Sequence, residues 1–131
     1  MKFRGLLPFL LLPFLLTACA AEQSKPNVYQ QITMEEAVDI MHQESGYIIL
    51  DVRRSDEFSA GHIPNAINIA NEDIGTDEIQ KLPNKNQLIL VYCRSGRRSK
   101  EAAQKLVNLG YTNIVEFGGI LDWTGETVKG E

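Results

Sequence analysis

The sequence predicts an α/β domain built on a mostly parallel central sheet of about five strands with helices on both faces, and three observations carry that prediction. Ile48-Ile49-Leu50-Asp51-Val52 and Leu88-Ile89-Leu90-Val91-Tyr92 are strand-length apolar runs rich in β-branched residues, the pattern of strands buried on both faces. Stretches of helical periodicity, rather than tight hairpin turns, separate the strand runs. Asp51, Cys93 and Gly118-Gly119 fall where strands end, and in such sheets sites form outside the carboxyl ends of the strands.

In chain order, residues 1–18 read as a secretory signal. Lys2 and Arg4 form a positive start, Leu6 to Leu16 an apolar run, and Thr17-Ala18 a small pair before Cys19. The apolar run is shorter than the roughly 20 residues of a membrane span. Leu16-Thr17-Ala18-Cys19 resembles the bacterial lipoprotein box, which implies cleavage before Cys19 and a lipid on that cysteine. The chain is then extracytoplasmic and anchored to a bacterial membrane, on its periplasmic face or at the cell surface. Residues 19–27, polar and containing Pro26, make a tether, and 28–131 form the domain. Loss of 18 residues from 131 leaves 113, one ordinary domain with a single core.

Within the domain, Thr33 and Glu36 have the spacing of a capping box, ahead of a helix with Ala37, Ile40 and Met41 on its apolar face and Gly46 after its end. The strand 48–52 follows. Ser55 is placed to cap a short helix through Phe58, which Gly61-His62-Ile63-Pro64 interrupts. Ala66 to Ile69 is a brief strand, and Asp77 to Leu82 a short helix stopped by Pro83. After the strand 88–92, Ala102, Ala103, Leu106 and Val107 share one helix face, and Gly110 suits the position just past the helix end. Ile114 to Phe117 is the last strand, leading into Gly118-Gly119 and a turn at Trp123.

The chain has two cysteines, so with Cys19 lipidated Cys93 has no partner for an intramolecular disulfide. A strand-to-helix turn puts Cys93 before the unpaired N–H groups and positive dipole end of the helix, and Arg94, Arg97 and Arg98 stand beside it. Both the helix start and the arginines favour a reactive thiolate and an anion site over a buried structural cysteine. Cleavage removes Lys2 and Arg4, leaving 11 basic and 17 acidic residues, a balance of −6. Residues 93–100 alone carry +4, so the remainder carries −10. An acidic domain with one basic spot excludes the extended basic face of a nucleic-acid binder and suits a small anion.

Asp51, at the end of a buried strand, is placed to hold a loop or pair with Arg53, and His62 to fix its turn. His42 falls on a polar helix face, and Phe117 and Trp123 on the core or a pocket wall. No His, Cys or carboxylate cluster has ligand spacing, so neither metal nor cofactor is expected.

Several blocks in fixed order resemble the rhodanese-like domain, a three-layer sandwich. They are Ile32-Thr33, Asp51-Val52-Arg53, Glu57-Phe58, Gly61-His62-Ile63-Pro64-Asn65-Ala66-Ile67-Asn68-Ile69, Val91-Tyr92-Cys93-Arg94-Ser95-Gly96-Arg97-Arg98-Ser99, and Gly118-Gly119 with Trp123. The family usually has glycine where Asn65 stands. As a small exported domain the chain is similar to the phage-shock type of periplasmic rhodanese.

The resemblance implies a sulfurtransferase in which Cys93 takes sulfane sulfur from a small anionic donor such as thiosulfate and passes the persulfide sulfur to cyanide or a thiol. Arg94, Ser95, Gly96, Arg97, Arg98 and Ser99 would bind the donor, with Asp51, Arg53 and His62 supporting the site. Arg98 should face the site, whereas Arg97 can face water. Related phosphatases carry one more loop residue before their arginine, and Ser99 stands where that arginine would be, which sizes the loop for sulfur rather than a phosphate ester. A monomer is the default for so small a unit. The alternatives are a non-enzymatic binding module on the same fold and a thiol-redox or sulfide-sensing protein using Cys93, the latter lacking a resolving cysteine.

Overall fold

The computed structural model describes residues 28–131, together with Gly5. The expectations of a cleaved signal over 1–18, a lipid on Cys19 and a tether to residue 27 fall, Gly5 apart, outside the described residues. In chain order the elements are β1 Gln30–Gln31, α1 Met34–Gln43, β2 Ile48–Asp51, α2 Ser55–Ala60, β3 Ile67–Asn68, β4 Ile89–Cys93, α3 Arg97–Asn108 and β5 Ile114–Gly119. Short 3₁₀ turns occupy Asn71–Asp73 and Ile120–Asp122. The five strands are all parallel, in the order β1-β5-β4-β2-β3, so the two apolar runs form adjacent inner strands.

The strand pleat divides the core in two. Ile89, Val91 and Cys93 face α3 and meet Ala102, Ala103, Leu106 and Val107. Leu90 and Tyr92 face the other side with Ala37 of α1 and Phe58 of α2. Helices on both faces cover the sheet, the three-layer arrangement expected of buried parallel strands.

Local signals account for the long helices. The Thr33 hydroxyl accepts from the Glu36 N–H at 3.1 Å and the Glu36 carboxylate accepts from the Thr33 N–H at 3.3 Å, a complete capping box at the start of α1. At the end of α3, Gly110 donates to Val107 and Tyr111 to Leu106, the paired bonds of a Schellman turn, with Gly110 at φ 96°.

Two expectations need correction, and one strand lies outside them. Ser55 is the first residue of α2, and the cap is Arg54, whose N–H donates to the Glu57 carboxylate at 3.4 Å. Residues 77–82 form no helix. Between Gly75 and Pro83 the stretch is too short to repay helix nucleation, and burial of Leu82 with Ile79 packed against the α3-side core holds it as a single turn, Leu82 N–H to Ile79 O. β1 was not foreseen, because two exposed glutamines carry no apolar pattern and are held only by backbone pairing to β5.

Candidate active site

β4 ends on Cys93 and α3 begins at Arg97, so the intervening loop must wrap around the sulfur. Gly96 makes the turn at φ 113°, ψ −17°, a region side chains disfavour. Its N–H thereby points back to Cys93 Sγ at 3.0 Å. The N–H groups of Arg97, Arg98 and Ser99 start α3 and have no intrahelical acceptor, which leaves a positive helix end at the loop. Ser99 Oγ lies 3.4 Å from Sγ and accepts from the thiol. Cys93 is buried, only 1% exposed, and is a free thiol.

β5 supplies the opposite wall. Its register with β4 steps from Val91↔Glu116 to Cys93↔Gly119, an extra residue on β5, and Gly118 sits in that stretch at φ 94°. Gly119 comes against the loop backbone, where a Cβ would overlap the Arg94 carbonyl. The N–H of Leu121 donates to the same carbonyl at 3.2 Å. Gly119→Ala should therefore push the loop off its geometry, destabilise the domain by about 1–3 kcal/mol and weaken sulfur loading of Cys93 by at least about tenfold. Mass spectrometry of the loaded protein alongside urea unfolding checks this, and a variant with wild-type stability and loading contradicts it.

The loop's charge is less free than its sequence suggests. Arg98 pairs with Glu57 of α2, its two terminal nitrogens donating to the two carboxylate oxygens at 2.7 and 3.1 Å. That guanidinium holds the Glu57 carboxyl below its ordinary range. Arg97 is 75% exposed and pairs with Glu101 one turn on. Among the described residues no carboxylate pairs with Arg94, which leaves it available to an anion. Arg54, Glu57, Glu72, Arg94, Ser95, Arg97 and Arg98 line a cavity of about 530 Å³ at the mouth of the loop. The single basic spot is thus a mixed rim, with acids delivered from distant sequence. A larger groove of about 770 Å³ runs alongside, past Asp56, Glu72, Asp77 and Glu78, and no residue of the cysteine loop lines it.

Asp51 and Arg53 hold each other. Arg53 donates to the fully buried Asp51 from its backbone N–H at 2.9 Å and its guanidinium at 2.7 Å, and also reaches the Gly61 carbonyl at 2.7 Å. Tyr92 accepts from the Ile63 N–H at 3.1 Å, and burial, then the Asp51 charge, pushes its phenol far above the ordinary value, so it stays neutral. His62 stacks on Phe58 at 3.6 Å and bonds the Phe58 carbonyl through Nδ1 at 2.9 Å, while its backbone bridges to Val128. Asn65 occupies its turn at φ 70°, a conformation that suits asparagine nearly as well as glycine. Among the described residues no three His, Cys, Asp or Glu side chains gather as a metal site.

Two residues near the sulfur escaped the sequence reading. Glu57 was visible only as part of a motif, because its partner Arg98 is 41 residues away. Glu116 is 2% exposed, and its Oε1 accepts from Ser99 Oγ at 2.7 Å and from the Gly118 N–H at 2.8 Å. The available signal was a lone carboxylate inside an apolar strand run, the same one that drew attention to Asp51.

Fold and site together define a parallel α/β domain that holds a single thiol in a cradle of backbone amides. The profile of the rhodanese-like domain matches residues 33–126, and the chain belongs to that family. It is 35% identical over 81 residues to the thiosulfate sulfurtransferase PspE of Escherichia coli K12, covering 62% of this chain and 78% of that one. It is 31% identical over 103 residues to the adenylyltransferase and sulfurtransferase UBA4 of Candida albicans, covering 73% of this chain but 24% of that longer protein. The solved structure of a rhodanese with anions from E. coli superposes with a TM-score of 0.59 at 33% identity, over 64% of this chain and 99% of that one. The relatives thus include sulfurtransferases.

Proposed function

We propose that the chain is a sulfurtransferase that carries sulfane sulfur on Cys93, from a donor such as thiosulfate to cyanide or a thiol. The observation that carries this reading is the sulfur itself, 3.0 Å from the Gly96 N–H in a loop whose Arg94, Arg97 and Arg98 line a neighbouring cavity. The thiolate attacks the outer sulfur of thiosulfate, a sulfur–sulfur bond forms to Cys93, and the bond to the central sulfur breaks with its electron pair leaving on sulfite. Arg94, on the cavity wall without a carboxylate partner among the described residues, would hold the departing anion, and Arg98 would join it by exchanging Glu57 for sulfite. The persulfide is anionic, and the Gly96 N–H and the helix start stabilise it without a metal. Attack on the outer sulfur by cyanide or a thiolate returns Cys93 as thiolate.

Residues 1–18 as a cleaved signal, a lipid on Cys19 and a tether to residue 27 complete the proposal, giving a monomeric domain held on the extracytoplasmic side of a bacterial membrane.

Incubation of the full chain with thiosulfate should add the mass of one sulfur, located by peptide mapping to Cys93, and later addition of cyanide should release it as thiocyanate. Absence of the adduct with every sulfane donor tried would leave the fold as a binding module. Reversible oxidation of Cys93 without sulfur uptake would instead indicate redox sensing.

A further inference from the structure

Glu116 has no part in the transfer chemistry above, yet its placement is costly. The pleat turns Ile114 and Glu116 of β5 toward α3, on the face where Val91 and Cys93 also point. An apolar side chain would fill that face freely, whereas a buried carboxylate needs partners to replace water. Glu116 has two, the Ser99 hydroxyl and the Gly118 N–H, both neutral. Among the described residues no cation pairs with it. The buried carboxyl group is therefore hydrogen-bonded but has no ion-pair partner among the described residues.

Ser99 connects this carboxylate to the sulfur. Its single proton has three acceptors in range, the Glu116 carboxylate at 2.7 Å and the carbonyls of Gly96 at 2.9 Å and Gly118 at 3.3 Å. The Glu116 oxygen, the nearest of the three, is the partner to which the proton points. The lone pairs of Ser99 then face the thiol of Cys93, which donates to them across 3.4 Å. Thiol, hydroxyl and carboxylate form a chain in which every donor points the same way, from Cys93 toward Glu116.

We propose that Glu116 is the proton acceptor that readies Cys93, acting through Ser99. The S–H bond breaks with its electron pair left on sulfur, its proton binds Ser99 Oγ, and the proton already on Ser99 passes to Glu116 Oε1. No charge enters or leaves; one negative charge moves from the carboxylate to the sulfur. The Ser99 hydroxyl, which accepted from the thiol, now donates to the thiolate alongside the Gly96 N–H. The charge stays on the sulfur side through the persulfide, so the site never holds two buried anions. Glu116 is in this sense a positioning residue, since Ser99 makes the contact with sulfur.

The other charged and titratable groups around the chain have their own settings. Arg98 is paired with Glu57, Arg97 with Glu101 and Asp51 with Arg53. Arg94, Lys100 and Asp122 face water. Tyr92 and His62 pack on the opposite face of the sheet, His62 against Phe58.

The proposal rests on Cys93 being the nucleophile, and alkylation by neutral iodoacetamide tests it without any sulfur donor. Glu116→Gln keeps the size and a bond to Ser99 but cannot take the proton. Its alkylation at about pH 6 should be on the order of tenfold slower than that of the wild type, with the gap closing as solvent base takes over toward pH 9. Ser99→Ala should show the same profile, and the double variant should be no slower than either single one. Should Glu116→Gln not fold, Ser99→Ala carries the test alone. Alkylation at pH 6 as fast as in the wild type, or faster, overturns the proposal, and faster is the result if Glu116 merely opposes a second negative charge. Failure of thiosulfate loading with the alkylation difference intact would count against sulfur transfer and leave the proton path standing.

Discussion

Cys93→Ser is expected to reduce sulfur loading and thiocyanate formation to the uncatalysed background, a loss of at least about 10³-fold, while the domain stays folded. The two effects separate because the substitution changes chemistry and almost nothing else. A hydroxyl is smaller than a thiol by a fraction of an ångström in bond length. At position 93 it would find the same partners, the Gly96 N–H and Ser99 Oγ, so a group that is 1% exposed would not be left unsatisfied. A stability change within about 1 kcal/mol follows. Serine has no accessible anion at neutral pH, and an alkoxide would not form a stable bond to sulfane sulfur. Loading and thiocyanate release measured beside urea unfolding distinguish the cases. A folded serine variant that still takes up one sulfur would place the acceptor elsewhere and remove Cys93 from the mechanism.

The parts of this site that could be read in the sequence are those written in contiguous residues. The strand–cysteine–helix order is one polymer path, so the apolar run to Tyr92 and the periodic helix after it were enough to place Cys93 between them. The capping box at Thr33 and the glycine at 110 are equally local, since partner and donor are within a few positions. The parts not legible are those made by folding distant segments together. The Glu57–Arg98 pair spans 41 residues, and it changes the electrostatics of the loop from an unopposed basic spot to a mixed rim. The same holds for Gly119, whose need for a bare backbone comes from a register step between β4 and β5 that no periodicity announces. The failed helix at 77–82 shows the opposite effect, where local propensity was present and packing of Ile79 and Leu82 against the core overrode it.

Asp51→Ala should be the most destabilising single change near the site, by about 3–5 kcal/mol, a large share of the roughly 5–15 kcal/mol that holds an ordinary domain together. The reason lies less in the pair's net worth than in what its loss leaves behind. Asp51 is fully buried and Arg53 is 6% exposed, so removing the carboxylate strands a guanidinium with only the Gly61 carbonyl as acceptor. Its position over the Tyr92 ring, 5.9 Å from the centroid, cannot replace a full charge partner. Replacing both residues with apolar ones of similar volume should therefore recover much of the loss, because a buried ion pair is often worth no more than good packing. The midpoint of urea unfolding at neutral pH measures both variants, and an Asp51→Ala midpoint equal to wild type would show that Arg53 finds water or another partner. The site should feel the change through geometry. Arg53 ties the end of β2 to the Gly61 turn, and α2 between them carries Glu57 to Arg98. Sulfur loading per folded molecule should then fall by less than the Cys93→Ser loss, since α2 shifts while the cradle itself, built by β4, α3 and β5, keeps its backbone contacts.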